Sequence, residues 1–147
     1  MRRLLVTWII VADSHKALLF KKTNEQNAQI SLVHTLEAHL DIYHQIPGRT
    51  FNSYGNERHA IEPHTDPRDL EKQNFAHEIT EMLGDVFRHS SLDSLVIIAP
   101  PKLIGMLDKD LDKQVHKKLT HKLSKDIMDK KIDEIKNYID DILKKDL

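Results

Sequence analysis

The chain of 147 residues contains no cysteine. That excludes disulfide staples, thiolate nucleophiles and cysteine–zinc sites, and it is compatible with a reducing compartment. Glycine is scarce, with isolated residues at positions 48, 55, 84 and 105. Without a glycine-rich turn, neither a phosphate-cradling loop nor a dinucleotide fingerprint is available. No G-x-S-x-G nucleophile elbow occurs, and Ser53 stands in the unrelated context Asn52-Ser53-Tyr54-Gly55. No apolar run approaches the roughly 20 residues that span a bilayer. The opening MRRLLVTWIIVA is interrupted by Thr7, stops at Asp13 and precedes no small-residue cleavage site. It therefore reads as a buried strand rather than an export signal, and the expectation is a cytoplasmic protein without membrane insertion. Neither sign of charge dominates. A formal net charge of −1 gives no long-range field toward nucleic acid or an anionic membrane, so any such contact must come from a local patch.

What is present suffices for one core. Hydrophobic residues make up 39% of the chain and charged residues 31%, which suits amphipathic helices around a sheet. The length fits a single domain over residues 1–147. Leu4 to Ala12 is nearly continuous in apolar character, as expected of a central strand covered on both faces. Asp13-Ser14-His15 supplies turn residues, and Lys16 to Lys22 continues as a second strand, predicting a hairpin. A third strand is expected over Gln29 to His39, with Ile30, Leu32, His34, Leu36 and Ala38 on one face and Val33 and Thr35 on the other. Asp66-Pro67 reads as a helix start, followed by Phe75, Ile79, Met82, Leu83, Val86 and Phe87 at helical spacing. Ser94 to Ala99 predicts a buried parallel strand ended by Pro100-Pro101. Leu103, Ile104, Leu107, Leu111 and Val115 predict one further amphipathic helix. Leu119, His121 and Leu123 predict a fifth strand, and Ile132 to Leu143 a last helix with a solvated outer face. The order β-β-β-α-β-α-β-α is that of an α/β, ribonuclease H-like mixed sheet.

The segment 46–66 is longer than an ordinary connection and carries Phe51 and Tyr54 together with Arg49, Arg58, His59, Glu62 and His64. Disordered linkers are poor in aromatics, so this composition points to a loop that holds something. All six arginines lie at or before Arg88, whereas the C-terminal third uses lysine alone. Arginine suits bidentate recognition of carboxylate or phosphate, and cations interleaved with aromatics suit an anionic or single-stranded partner. The competing reading pairs Arg49 and Arg58 with Glu57, Glu62 or Asp66 to pin the loop. Arg58 is expected to anchor and Arg49 to bind.

Other chemistries find less support. A two-metal nuclease needs several convergent carboxylates. Asp13 ends the first strand, but the fourth ends in Ala99-Pro100-Pro101, with no acid where one is needed. His59, Glu62 and His64 follow no recognised ligand spacing. No metal, cofactor or catalytic residue is expected.

The stretches TWIIVADSHKALLF, PGRTFNSYGNERHAIEPHTDP, FAHEIT, LVIIAPPKLIGML and LSKDI resemble the bacterial host attachment family over nearly the whole chain. Arg58-His59 with Glu62-Pro63, and Ala99-Pro100-Pro101 with Leu103 and Gly105, carry the resemblance most specifically. That family is similar in fold to the ribonuclease H-like, non-nucleolytic central domain of archaeal and eukaryotic peptide-chain release factors. The Gly-Gly-Gln loop of that domain is missing from this sequence, so peptidyl-tRNA hydrolysis is not implied. The resemblance implies a cytoplasmic binding protein linked to ribosome or RNA, and the leading expectation is a non-enzymatic family member acting through the 46–66 loop, together with Asp13, Lys125 and Asp126 near strand ends. The partner is an unspecified protein or RNA. The alternative is an RNA- or ribosome-associated module, and the sequence leaves the oligomeric state open.

Overall fold

A computed structural model describes residues 4–38 and 67–145. Their architecture is a mixed α/β sheet of five strands with helices on both faces. β1 (Val6–Ala12) and β2 (Lys16–Thr23) form the expected hairpin, β1 pairing antiparallel with β2. β3 (Ser31–Glu37) continues antiparallel from β2. After α1 (Pro67–His89), β4 (Ser94–Ala99) returns parallel to β1. The helices α2 (Pro101–Asp110) and α3 (Lys113–His116) lead to β5 (Leu119–Ser124), parallel to β4, and α4 (Ile132–Lys145) follows. The sheet order is β3-β2-β1-β4-β5. β2 alone runs against the other four, so the carboxyl ends of β1, β3, β4 and β5 share one end of the sheet.

Alternation along the strands divides the core in two. On one face, Trp8, Ile10, Leu19, Leu95 and Ile97 meet Phe75, Ile79 and Leu83 of α1 and Leu103 and Leu107 of α2. On the other, Ile9, Val11, Phe20, Val96 and Ile98 meet Ile135 and Ile139 of α4. β1 and β4 are apolar on both faces because both faces are covered. Trp8 is 3% exposed, as its place in a central strand requires. Its Nε1 donates to the Ser91 carbonyl at 2.7 Å, and Lys21 Nζ lies 5.4 Å from its ring centroid. Asp93 fastens the strand start: its backbone N donates to Val6 O at 2.9 Å, and its Oδ2 accepts from Val6 N at 2.8 Å.

Two expectations are corrected. The third strand does not keep one face from Ile30 to Ala38. Leu19 faces His34 and Phe20 faces Leu32, so Val33 is an extra residue, a bulge in β3. A bulge adds one residue and reverses the alternation. Ile30 therefore joins the α4-side core, whereas Leu36 and Ala38 pack on the α1 side. As an edge strand, β3 also leaves Leu32 and Val33 exposed. The helix expected from Leu103 to Val115 is broken in two. Leu111 leaves helical geometry at φ −67, ψ 139, and Asp112 starts α3 by accepting the Gln114 N–H at 2.9 Å.

Candidate functional site

The direction of the strands decides which sequence-nominated residues can act together. Asp13 follows β1, and Lys125 and Asp126 follow β5. β3 delivers the chain at Ala38 to the same end, where Ala38 N donates to His15 O at 2.8 Å. Lys125 N reaches Ala99 O, the last residue of β4, at 3.1 Å. α1 begins there too, since Asp69 in its first turn takes a 2.7 Å hydrogen bond from Lys102 Nζ, just past β4. Its far end lies beside Ser91 and Asp93, at the amino ends of β1 and β4. A helix of 23 residues is roughly 34 Å long, whereas a seven-residue strand is roughly 23 Å. α1 thus outreaches the sheet. In open α/β sheets, the carboxyl ends of the strands are the usual place for a ligand.

The nominated residues differ in what they already do. Asp13 Oδ1 accepts the His15 and Lys16 backbone N–H groups at 2.7 and 2.8 Å, closing the hairpin turn. Its first duty is therefore structural. Lys125 and Asp126 are exposed. Arg49, Arg58, His59 and Glu62, and the expected packing of the 46–66 loop, lie outside the described residues. Among the described residues, no cluster of three or more histidine, aspartate or glutamate side chains could hold a metal.

A polar clasp that sequence reasoning missed joins α1 to α2. His77 Nδ1 and Asp110 Oδ2 are 2.8 Å apart, and Thr80 Oγ1 donates to the same oxygen at 2.6 Å. The Thr80 hydroxyl has a single proton. The charged carboxylate takes it in preference to the His77 carbonyl at 3.0 Å. Thr80 is the one buried polar residue among those described, and its partner satisfies it. Glu81 Oε1 lies 3.5 Å from His77 Nε2. The hydrogen bond to Asp110, then its charge, raises the His77 pKa, with Glu81 adding a smaller push. The Thr80 hydrogen bond first, then His77, holds the Asp110 carboxyl below its ordinary range. Asp108 is likewise lowered, chiefly by its 2.7 Å hydrogen bond with His116 Nε2, with Lys122 at 3.5 Å assisting. Carboxylates at a helix C-terminus oppose the helix dipole, and these partners offset that cost. His77–Glu81 is visible in the sequence as an i,i+4 pair. Asp110 is not, because it lies 33 residues away and is joined only by the packing of two helices.

The Asp69–Lys102 pair has the same separation of 33 residues. Two clasps at one offset show that α1 and α2 run parallel and in register. Between them lies an open groove of about 490 Å³ lined by Gln73, Ala76, His77, Lys102, Gly105, Met106, Lys109 and Asp110.

Comparison with known proteins bears on this arrangement. Residues 8–139 match the family described as "protein required for attachment to host cells". The chain belongs to this family. It is 27% identical over 81 residues to uncharacterized protein RP470 of Rickettsia prowazekii (strain Madrid E), and the match spans 54% of each chain. The attachment-family chain thus spans about half the length of that relative. An archaeal translation termination factor, aRF1, is similar in structure at TM-score 0.44 and 15% identity, over 84% of this chain and 31% of that one. The Thermoplasma acidophilum Pelota protein is similar at TM-score 0.39 and 10% identity, over 86% and 30%. No helix among the described residues is long and apolar enough to cross a membrane.

Proposed function

We propose that residues 1–147 act as one non-enzymatic binding domain of the attachment family, in the cytoplasm. The proposed binding edge is the carboxyl end of the parallel strands. Lys125 and Asp126 provide exposed charge there, Asp13 shapes the adjoining turn, and the 46–66 segment supplies Arg49, Arg58, His59 and Glu62. One observation carries the reading. β1, β3, β4 and β5 all end on that side, so Asp13, Lys125 and Asp126 share one edge with Ala38 and the start of α1. The same observation speaks against a metal nuclease, because the Asp13 carboxylate is committed to a turn and β4 ends in Ala99-Pro100.

The test is affinity capture from lysate with the full chain, identifying bound protein and RNA separately. Wild type is compared with Lys125→Ala/Asp126→Ala and with Arg49→Ala at low salt, where charge contacts are strongest. The reading requires a partner whose recovery falls in these variants while their melting temperatures hold. A partner recovered equally by all three proteins removes the edge from the account. Recovery of RNA alone would favour the RNA- or ribosome-associated alternative.

A further inference from the structure

Gly105 stands mid-way along α2, where glycine costs a helix about 0.8–1.0 kcal/mol relative to alanine. Steric need is the usual reason to keep glycine in such a place. None exists here: a Cβ built on Gly105 meets nothing within 4 Å. The bare backbone faces the groove between α1 and α2, whose floor is the buried Ala76 and the half-buried Met106. Around that floor stand Gln73 and Lys109, each able to donate a hydrogen bond, together with Lys102 and His77, which are already paired with Asp69 and Asp110. The wall's one carboxylate, Asp110, already accepts from His77 and Thr80. The clasps are thus paired internally, and Gln73 and Lys109 are the lining's polar side chains outside them. The volume, about 490 Å³, lies in the range of small-molecule sites.

We propose that this groove binds a small organic anion, a carboxylate on a short apolar body. The apolar part lies over Ala76, Gly105 and Met106. The carboxylate meets Lys109, while His77 and Lys102 stay with Asp110 and Asp69. Gly105 stays bare because a side chain there would occupy the ligand's place. The site runs along α1 and α2 from beside the strand-end edge, and neither proposal needs the other.

The experiment titrates the full chain with hexanoate, following backbone amide shifts by NMR, with hexylamine as a control of equal length and opposite charge. The proposal expects saturable shifts centred on Ala76, Gly105, Met106 and Lys109 with hexanoate and none there with hexylamine. Gly105→Leu fills the groove and improves helix propensity, so it should weaken hexanoate binding by about tenfold or more without lowering the melting temperature. Lys109→Ala should weaken binding as well. Absence of saturable shifts at these residues would overturn the proposal. So would equal shifts with hexylamine, or unchanged affinity in Gly105→Leu.

Discussion

At the scale of single residues, the clasp between α1 and α2 makes the sharpest statements. His77 is well exposed, so its ion pair is screened and adds little to stability. Its titration still reports the geometry. The His77 midpoint should lie above 6.5, the ordinary histidine value, and Asp110→Asn should bring it down, both read from imidazole NMR shifts against pH. The linkage follows from the two directions. A raised histidine pKa contributes stability that is full below the unfolded value and is lost as pH rises through the folded value. A lowered aspartate pKa contributes stability that is full above the unfolded value and is lost as pH falls through the folded one. The His77–Asp110 pair therefore helps most between the carboxylate and histidine ranges. The gap in melting temperature between wild type and His77→Ala should be widest below the histidine range and above the carboxylate range, and should narrow as pH rises through the His77 midpoint. Gly105 offers a second residue-scale test. Gly105→Ala meets no atom, so it should stabilise the protein by about 0.4–1 kcal/mol in denaturant unfolding.

At the scale of elements, stability centres on β1. Trp8→Ala should cost about 3–5 kcal/mol in chemical denaturation, because a large buried aromatic leaves a cavity on the α1 side of the sheet. Trp8→Phe should cost less, since it loses the hydrogen bond to Ser91 O but retains most of the ring. Asp112→Ala should cost about 0.5–2 kcal/mol through loss of the α3 cap. The buried strands were legible in the sequence because Val6 to Ala12 and Ser94 to Ala99 are largely apolar on both faces, although Leu4 and Leu5, expected in the first strand, lie before it and are exposed. The edge strand was less so. Its Ile30, Leu32 and Leu36 invite a single face, and the Val33 bulge that divides them is set by pairing with β2. The break at Leu111 was hidden for a related reason: Leu107, Leu111 and Val115 keep helical spacing, and all three are buried although the helix is interrupted. Periodicity records burial, which can persist across a turn. The clasp was illegible because its partners come from two helices far apart in sequence.

At the scale of the whole molecule, family membership and the mixed sheet agree with what the sequence resemblance implied, and the strand directions give Asp13, Lys125 and Asp126 a common edge. That edge is the central claim. It is tested most directly by affinity capture from lysate with the full chain, comparing wild type with Lys125→Ala/Asp126→Ala at low salt, where charge contacts are strongest. Both side chains are exposed, and the Lys125 backbone bond to Ala99 survives the change, so the variant should fold with an unchanged melting temperature. The account predicts a partner that wild type recovers and the folded double variant does not. Equal recovery by the two proteins, at equal input, would contradict it.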